Sequence, residues 1–361
     1  MDSPFTRRKF IAGMSASALA AVYPPSFLER FEERSSPESE LEVIKPKALK
    51  PGDTIGIVAP ASNVYELEDI AMGREIIGSL GFKSVLGKNV SGQYGYLAGQ
   101  DSERTADLNE MFRRDDVDGV ICIRGGWGSM RILPMLDYEL MRKNPKVLMG
   151  YSDITSLLLA VYKHAGIVTF HGPVVLSTFN EYTMEYLTRA IFTPAPIGAV
   201  KNPPLKSGEK VEKENRIIKL GKGKARGVLV GGNLSLVVST LGTPFEVDLK
   251  DKILFIEEIG EEPYKVDRMI THLWLTGKLQ EVAGIVIGKL TDCVPNEYKP
   301  AFTQTLSVEE ILRTRIEPLH VPALYGLMIG HVKDKITVPL GVRATLDADE
   351  GTFVIDESAV V

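Results

Sequence analysis

The chain has 361 residues, longer than a typical single domain, so two domains, each with its own core, are expected. Apolar residues at 44% and charged residues at 25% are the composition of a globular protein and argue against disorder. The net charge of -5, with no Lys/Arg block in the body of the chain, argues against nucleic acid as a partner and suits a small polar substrate.

In chain order, the first feature is an address. Thr6-Arg7-Arg8-Lys9-Phe10-Ile11 precedes an uncharged stretch to Tyr23, with Ala18-Leu19-Ala20 as a cleavage candidate. Paired arginines before a weakly hydrophobic, Gly/Ala/Ser-containing segment read as a twin-arginine export signal over 1–23, which sends a folded cargo to the periplasm. The apolar run is shorter than the about 20 residues a membrane-spanning helix needs, so no stable span is expected once the signal is cleaved. Residues 24–45 are charged and Pro/Ser-containing without apolar periodicity and read as a linker, with folding starting near Ile44.

From 46 to 176, strands and helices alternate. Strands are expected at Thr54–Pro60, Lys83–Leu86, Gly119–Ile123 and Lys146–Met149. Helices are expected at Tyr65–Leu80, at Asp101–Arg114 with Asp101 as its cap, and at Asp153–His164. Strict alternation predicts an α/β domain with a parallel sheet covered on both faces, whose site lies at the carboxyl ends of the strands. Residues 177–224 are rich in Pro, Lys and Glu and read as an interdomain connection. Residues 225–361 read as a second, strand-rich α/β domain, with strands at Gly227–Val230, Ile253–Ile256, Gly284–Ile287, Lys335–Val338 and Thr352–Ile355. Helices at Pro263–Leu275 and Ser307–Ile316 interrupt them.

Chemistry concentrates at strand ends. In Val147-Leu-Met-Gly-Tyr-Ser-Asp-Ile-Thr155 a strand passes through Gly150 straight into a helix, the pattern of a nucleophile elbow with Ser152 at its apex. The N–H of Asp153 would then donate to an oxyanion. The plainer alternative is that Ser152 and Asp153 only cap the helix, and the elbow departs from G-x-S-x-G because Ile154 stands where Gly would. Arg124-Gly-Gly-Trp-Gly128 follows another strand. It lacks the Lys-Ser/Thr of a phosphate loop, so the N–H of Gly126 reads as a second oxyanion donor. Glu257 ends the strand Ile253–Ile256, and His331 follows Gly330 after Leu327-Met-Ile. Ser152, Glu257 and His331 supply the types a triad needs, with His171 of Phe170-His-Gly-Pro173 as the rival base. His164 is explained by a helix C-terminus. Cys122 and Cys293, in or beside apolar runs, read as free core thiols. There is no C-x-x-C or H-E-x-x-H, and the five histidines lack ligand spacing, so neither metal nor other cofactor is called for.

Taken together, Ala98-Gly-Gln-Asp-Ser-Glu-Arg-Thr-Ala-Asp-Leu-Asn109, Arg124-Gly-Gly-Trp-Gly128, Gly150-Tyr-Ser-Asp153, Gly231-Gly-Asn-Leu234, Phe255-Ile-Glu-Glu258 and Gly330-His331 resemble the LD-carboxypeptidase family of serine peptidases. The likeness runs from about Ile44 to Ile355 with the motifs in family order. It implies a Ser-His-Glu mechanism with Ser152 in the first domain and Glu257 and His331 in the second, the site lying between them. It also implies cleavage of the bond to a terminal D-alanine in murein tetrapeptides, or of peptidyl-nucleotide antibiotics in the immunity branch, and a tendency to homodimers. Trp127 stands where Tyr is more usual, and Arg124 and Trp127 are the candidate substrate contacts. Recycling members are cytoplasmic, so an exported one would act on periplasmic wall fragments. The non-enzymatic alternative is an exported solute-binding protein with a similar two-domain cleft.

Overall fold

The protein was analysed as a computed structural model that describes residues 41–204 and 215–361. The expected export signal, the expected linker up to 40 and the middle of the 177–224 segment lie outside the described residues. Backbone pairing begins at Ile44, which bridges Ile167.

The first domain is a sheet wound by helices. Its strands are β1 (Thr54–Val58), β2 (Lys83–Leu86), β3 (Gly119–Cys122), β4 (Val147–Gly150) and β5 (Thr169–His171). They pair in the order β2-β1-β3-β4-β5, all parallel. The helices are α1 (Glu68–Ser79), α2 (Asp101–Arg113), α3 (Tyr138–Lys143), α4 (Thr155–Ala165) and α5 (Glu181–Ile191). Every residue of β3 and β4 is buried, as unbroken apolar runs in a doubly covered sheet require. The strand order reverses between β1 and β3, and the loops leaving these two strands open a crevice there.

The second sheet is mixed. It contains β6 (Gly198–Val200), β7 (Ile218–Lys219), β8 (Lys224–Asn233), β9 (Ile253–Ile259), β10 (Gly284–Thr291) and β11 (Ala323–Tyr325), while β12 (Val338–Leu340) leaves for the first sheet before β13 (Arg343–Asp347) and β14 (Thr352–Ile355). Its order is β6-β14-β13-β8-β9-β10-β11-β7, with β8 to β11 parallel. Helices α6 (Leu234–Ser239), α7 (Pro263–Leu275), α8 (Lys278–Glu281) and α9 (Val308–Ile316) accompany it.

Several local expectations shift. Helix α2 is capped by Gln100 rather than Asp101, in a capping box with Glu103. The expected strand Lys335–Val338 starts only at Val338; it pairs antiparallel with β5 and so completes the first sheet, not the second. The connection 177–224 is also more ordered than its composition suggests, because it contains α5 and contributes β6 and β7 to the second sheet.

Candidate active site

The turn after β4 is strained in the way an elbow requires. Tyr151 is extended, and Ser152 then adopts φ 65°, a left-handed conformation that costs a non-glycine residue about 1–3 kcal/mol. A short 3-10 turn over Ser152–Ile154 leads into α4, and neither Ser152 nor Asp153 caps that helix with its side chain. The departure at Ile154 has a packing reason. Its side chain is buried under the turn and lies 2.8 Å from where a Cβ on Gly150 would sit, so Gly150 is the glycine this version of the elbow needs. Asp153 is buried, its carboxylate accepting from the N–H of Ser129 at 2.8 Å and its carbonyl from the Ser129 hydroxyl at 2.5 Å. Burial pushes its carboxyl above the usual range, against the pull of the Ser129 and Gly128 hydrogen bonds.

The glycine loop after β3 packs on this turn. A Cβ on Gly125 would lie 2.9 Å from the Ser152 Cβ, so only glycine allows the approach. Gly126, at φ 115°, rests on Ser62, whose hydroxyl accepts from the N–H of Trp127 at 3.0 Å. Arg124 donates to the Asn63 carbonyl at 2.9 Å and to the Tyr65 hydroxyl at 3.1 Å, and stacks on the Tyr65 ring at 4.1 Å. Trp127 is half exposed and meets Tyr96 edge to face at 5.3 Å. Arg124 and Trp127 thus sit beside the Ser152 turn among the exposed rings of Tyr65 and Tyr96.

The second sheet delivers Glu257, whereas His331, expected at a strand end, lies in the loop after β11 because Leu327–Ile329 forms no strand. Glu257, near the end of β9, is fully buried, and His331 Nδ1 lies 2.7 Å from its Oε2. The Tyr151 ring, one residue before Ser152, lies 4.8 Å from the His331 ring. The rival His171, at the end of β5, is buried, with Nε2 3.8 Å from Glu257 Oε1 and no hydrogen bond on either ring nitrogen. Burial pushes its pKa down to about 4, against the attraction of Glu257, so at neutral pH it is an uncharged ring shut off from solvent. The two domains are joined at this point. Asn233, paired with Glu257 across β8 and β9, donates its N–H to Thr155 Oγ1 at 3.0 Å, three residues after Ser152.

Sequence reasoning missed two buried cations. Arg104 is 1% exposed and donates to the carbonyls of Pro60 and Gly128, clamping the loop after β1 to the end of the glycine loop. Its place in the Gln100–Asn109 motif was visible, but its reach was not. Lys335 is 5% exposed with Nζ 4.3 Å above the Tyr151 ring, and it carried no signal because its segment reads as a strand. Among the described residues no group of His, Cys, Asp or Glu is arranged to hold a metal.

A serine on a strained strand-to-helix turn, beside an imidazole hydrogen-bonded to a buried carboxylate at a two-domain junction, defines a serine-type hydrolase. Residues 55–172 match the LD-carboxypeptidase N-terminal domain and residues 226–346 the LD-carboxypeptidase C-terminal domain. The chain is 44% identical over 314 residues to the probable murein peptide carboxypeptidase of Bacillus subtilis (strain 168), covering 86% of this chain and 94% of that one. It is 30% identical to the Microcin C7 self-immunity protein MccF of Escherichia coli, over 86% of this chain and 94% of that one. Among solved structures, MccF in its wild-type apo state superposes with a TM-score of 0.78 at 26% identity, covering 88% of this chain and all of that one. Muramoyltetrapeptide carboxypeptidase from Oxalobacter formigenes superposes with a TM-score of 0.70 at 29% identity, over 84% and 99%. The chain belongs to the LD-carboxypeptidase family and is a serine-type carboxypeptidase.

Proposed function

We propose that this carboxypeptidase removes the terminal D-alanine from murein tetrapeptides through an acyl-enzyme on Ser152. The observation that carries the reading is the 2.7 Å contact of His331 Nδ1 with the buried Glu257 beside the left-handed Ser152 turn. With Nδ1–H donated to Glu257, Nε2 is the free lone pair that takes the Ser152 proton as Oγ attacks the carbonyl between the diamino acid and D-alanine. The imidazolium then protonates the leaving amine, and water, activated by the same ring, releases the shortened peptide. The N–H groups of Gly126 and Asp153 hold the oxyanion, each worth about 3 kcal/mol in a well-formed hole. Arg124 and Trp127 contact the substrate at the crevice mouth.

The wall-peptide substrate is supported by the names of relatives, murein peptide carboxypeptidase and murein tetrapeptide carboxypeptidase. The paired arginines near the N-terminus support action on periplasmic fragments. A second reading, cleavage of peptidyl-nucleotide antibiotics by the same residues, is favoured by the likeness to MccF. The test is D-alanine release from purified muramoyl tetrapeptide by the protein beside a folded Ser152→Ala variant. Release by the first and loss of at least about 10³-fold in the second is expected. Equal release by both would remove Ser152 from the mechanism, and release by neither, with cleavage of an aminoacyl sulfamoyl adenosine, would move the substrate to the second reading.

A further inference from the structure

One buried cation beside the triad takes no part in it. Glu257 is fully buried and hydrogen-bonded to His331. On its other oxygen stands His171, 3.8 Å away and also buried.

That cation is Lys335, which is 5% exposed, with its ammonium 4.3 Å above the Tyr151 ring. The groups facing this cluster are Glu257 from β9, His171 from β5, His331 and Tyr151. The neighbouring Asp334 turns instead to the side-chain amide of Asn180. The Lys335 segment is pinned, its N–H donating to Thr183 Oγ1 at 3.1 Å and that of Ile336 to the Met328 carbonyl at 2.8 Å. The Tyr151 ring beneath the ammonium packs on His331 and directly precedes Ser152. The cation therefore sits on the ring that links His331 to Ser152.

We propose that Lys335 is a positioning residue of the catalytic site: its buried ammonium, seated on the Tyr151 ring, holds that ring against His331. This rests on the triad assignment made above. Burial lowers the Lys335 pKa to about 8, with Glu257 opposing the shift, so the ammonium is lost in a range where the enzyme can still be assayed. Above that pH the neutral amine no longer draws on the Tyr151 ring, and the hold on His331 loosens. A purely structural lysine would have no such titration in the reaction rate.

The experiment measures the rate of Ser152 modification by a fluorophosphonate from pH 5 to 10, in the full chain, its Ser152→Ala variant as blank, Lys335→Met and Lys335→Arg. Circular dichroism and a urea midpoint check each fold. This readout needs no murein substrate, so it stands whichever peptide is cleaved. The expected wild-type rate falls on an alkaline limb near pH 8. Lys335→Met should be slower by about tenfold or more at pH 7, short of the roughly 10⁴-fold lost when a triad carboxylate is neutralised, and should lack the alkaline limb. Lys335→Arg should keep most of the rate and carry the limb beyond pH 10. The inference is overturned if the wild type has no limb between pH 7 and 9, if Lys335→Met matches the wild type, or if Lys335→Arg leaves the limb in place. Should Lys335→Met not fold, the position of the limb in Lys335→Arg decides. Absence of any labelling at Ser152 would overturn the triad and this inference together, whereas labelling with an unmoved limb overturns this inference alone.

Discussion

At the scale of single residues, what separates His331 from His171 is solvent and a hydrogen bond. Both follow apolar runs in the sequence and both approach Glu257, one on each carboxylate oxygen. Sequence pattern hardly ranked them, because the runs look alike and depth is a property of the assembled fold: His171 ends β5, whereas His331 lies in a loop. His171 is the one sealed in, and its depressed pKa of about 4 makes a stability prediction. In the unfolded chain a histidine takes up a proton below about pH 6.5, whereas folded His171 does so only near 4. The unfolded state thus binds more protons between these values, and stability contributed above pH 6.5 is lost as pH falls through that window. The loss amounts to roughly 2–3 kcal/mol at pH 4.5. Urea unfolding at pH 7 and pH 4.5 should show His171→Asn losing less stability on acidification than the wild type by about this amount; an identical loss would place the acid sensitivity elsewhere.

At the scale of elements, the strands were the most legible part and the loops between them the least. Apolar runs with glycine or charge at their ends marked β1, β3, β4 and the first four residues of β9, because a doubly covered strand leaves little place for polar residues. The candidate site residues were picked at the ends of those runs. Hidden from sequence were contacts made across long gaps, such as Arg104 of α2 reaching the carbonyls of Pro60 and Gly128. These carbonyls belong to the loops that form the crevice, and a buried acceptor stripped of its donor costs about 1–3 kcal/mol. Arg104→Met keeps the apolar stem and removes the fork, so a urea-measured loss of about 2–4 kcal/mol is expected. The Ser152 modification rate should fall as well, since the glycine loop packs directly on that residue through Gly125. Lost stability with an unchanged rate would mean that the loop holds its shape without the clamp.

At the scale of the molecule, the two sheets cannot be treated as separate bodies joined by a hinge. Strand β12 is drawn from the second half of the chain into the first sheet, and the last residue, Val361, exchanges backbone hydrogen bonds with Pro46 and Ala48. A connection at 177–224 was read from composition, but this weave was not, because a three-residue strand such as Val338–Leu340 does not say which sheet it joins. The site depends on that weave, with Ser152 on one side, Glu257 on the other, and Thr155 to Asn233 as the tie between them. Thr155 is fully buried, so Thr155→Val conserves shape while leaving the Asn233 N–H without its acceptor, at a cost of about 1–3 kcal/mol. Because β12 crosses into the first sheet and one core cluster spans both, urea unfolding should remain one cooperative transition at a lower midpoint. The Ser152 modification rate should drop while α4 and the second sheet keep their circular dichroism, since the loss is of registry between the halves. Two resolved transitions, in the wild type or the variant, would instead show that each half holds itself together and that the junction only aligns them.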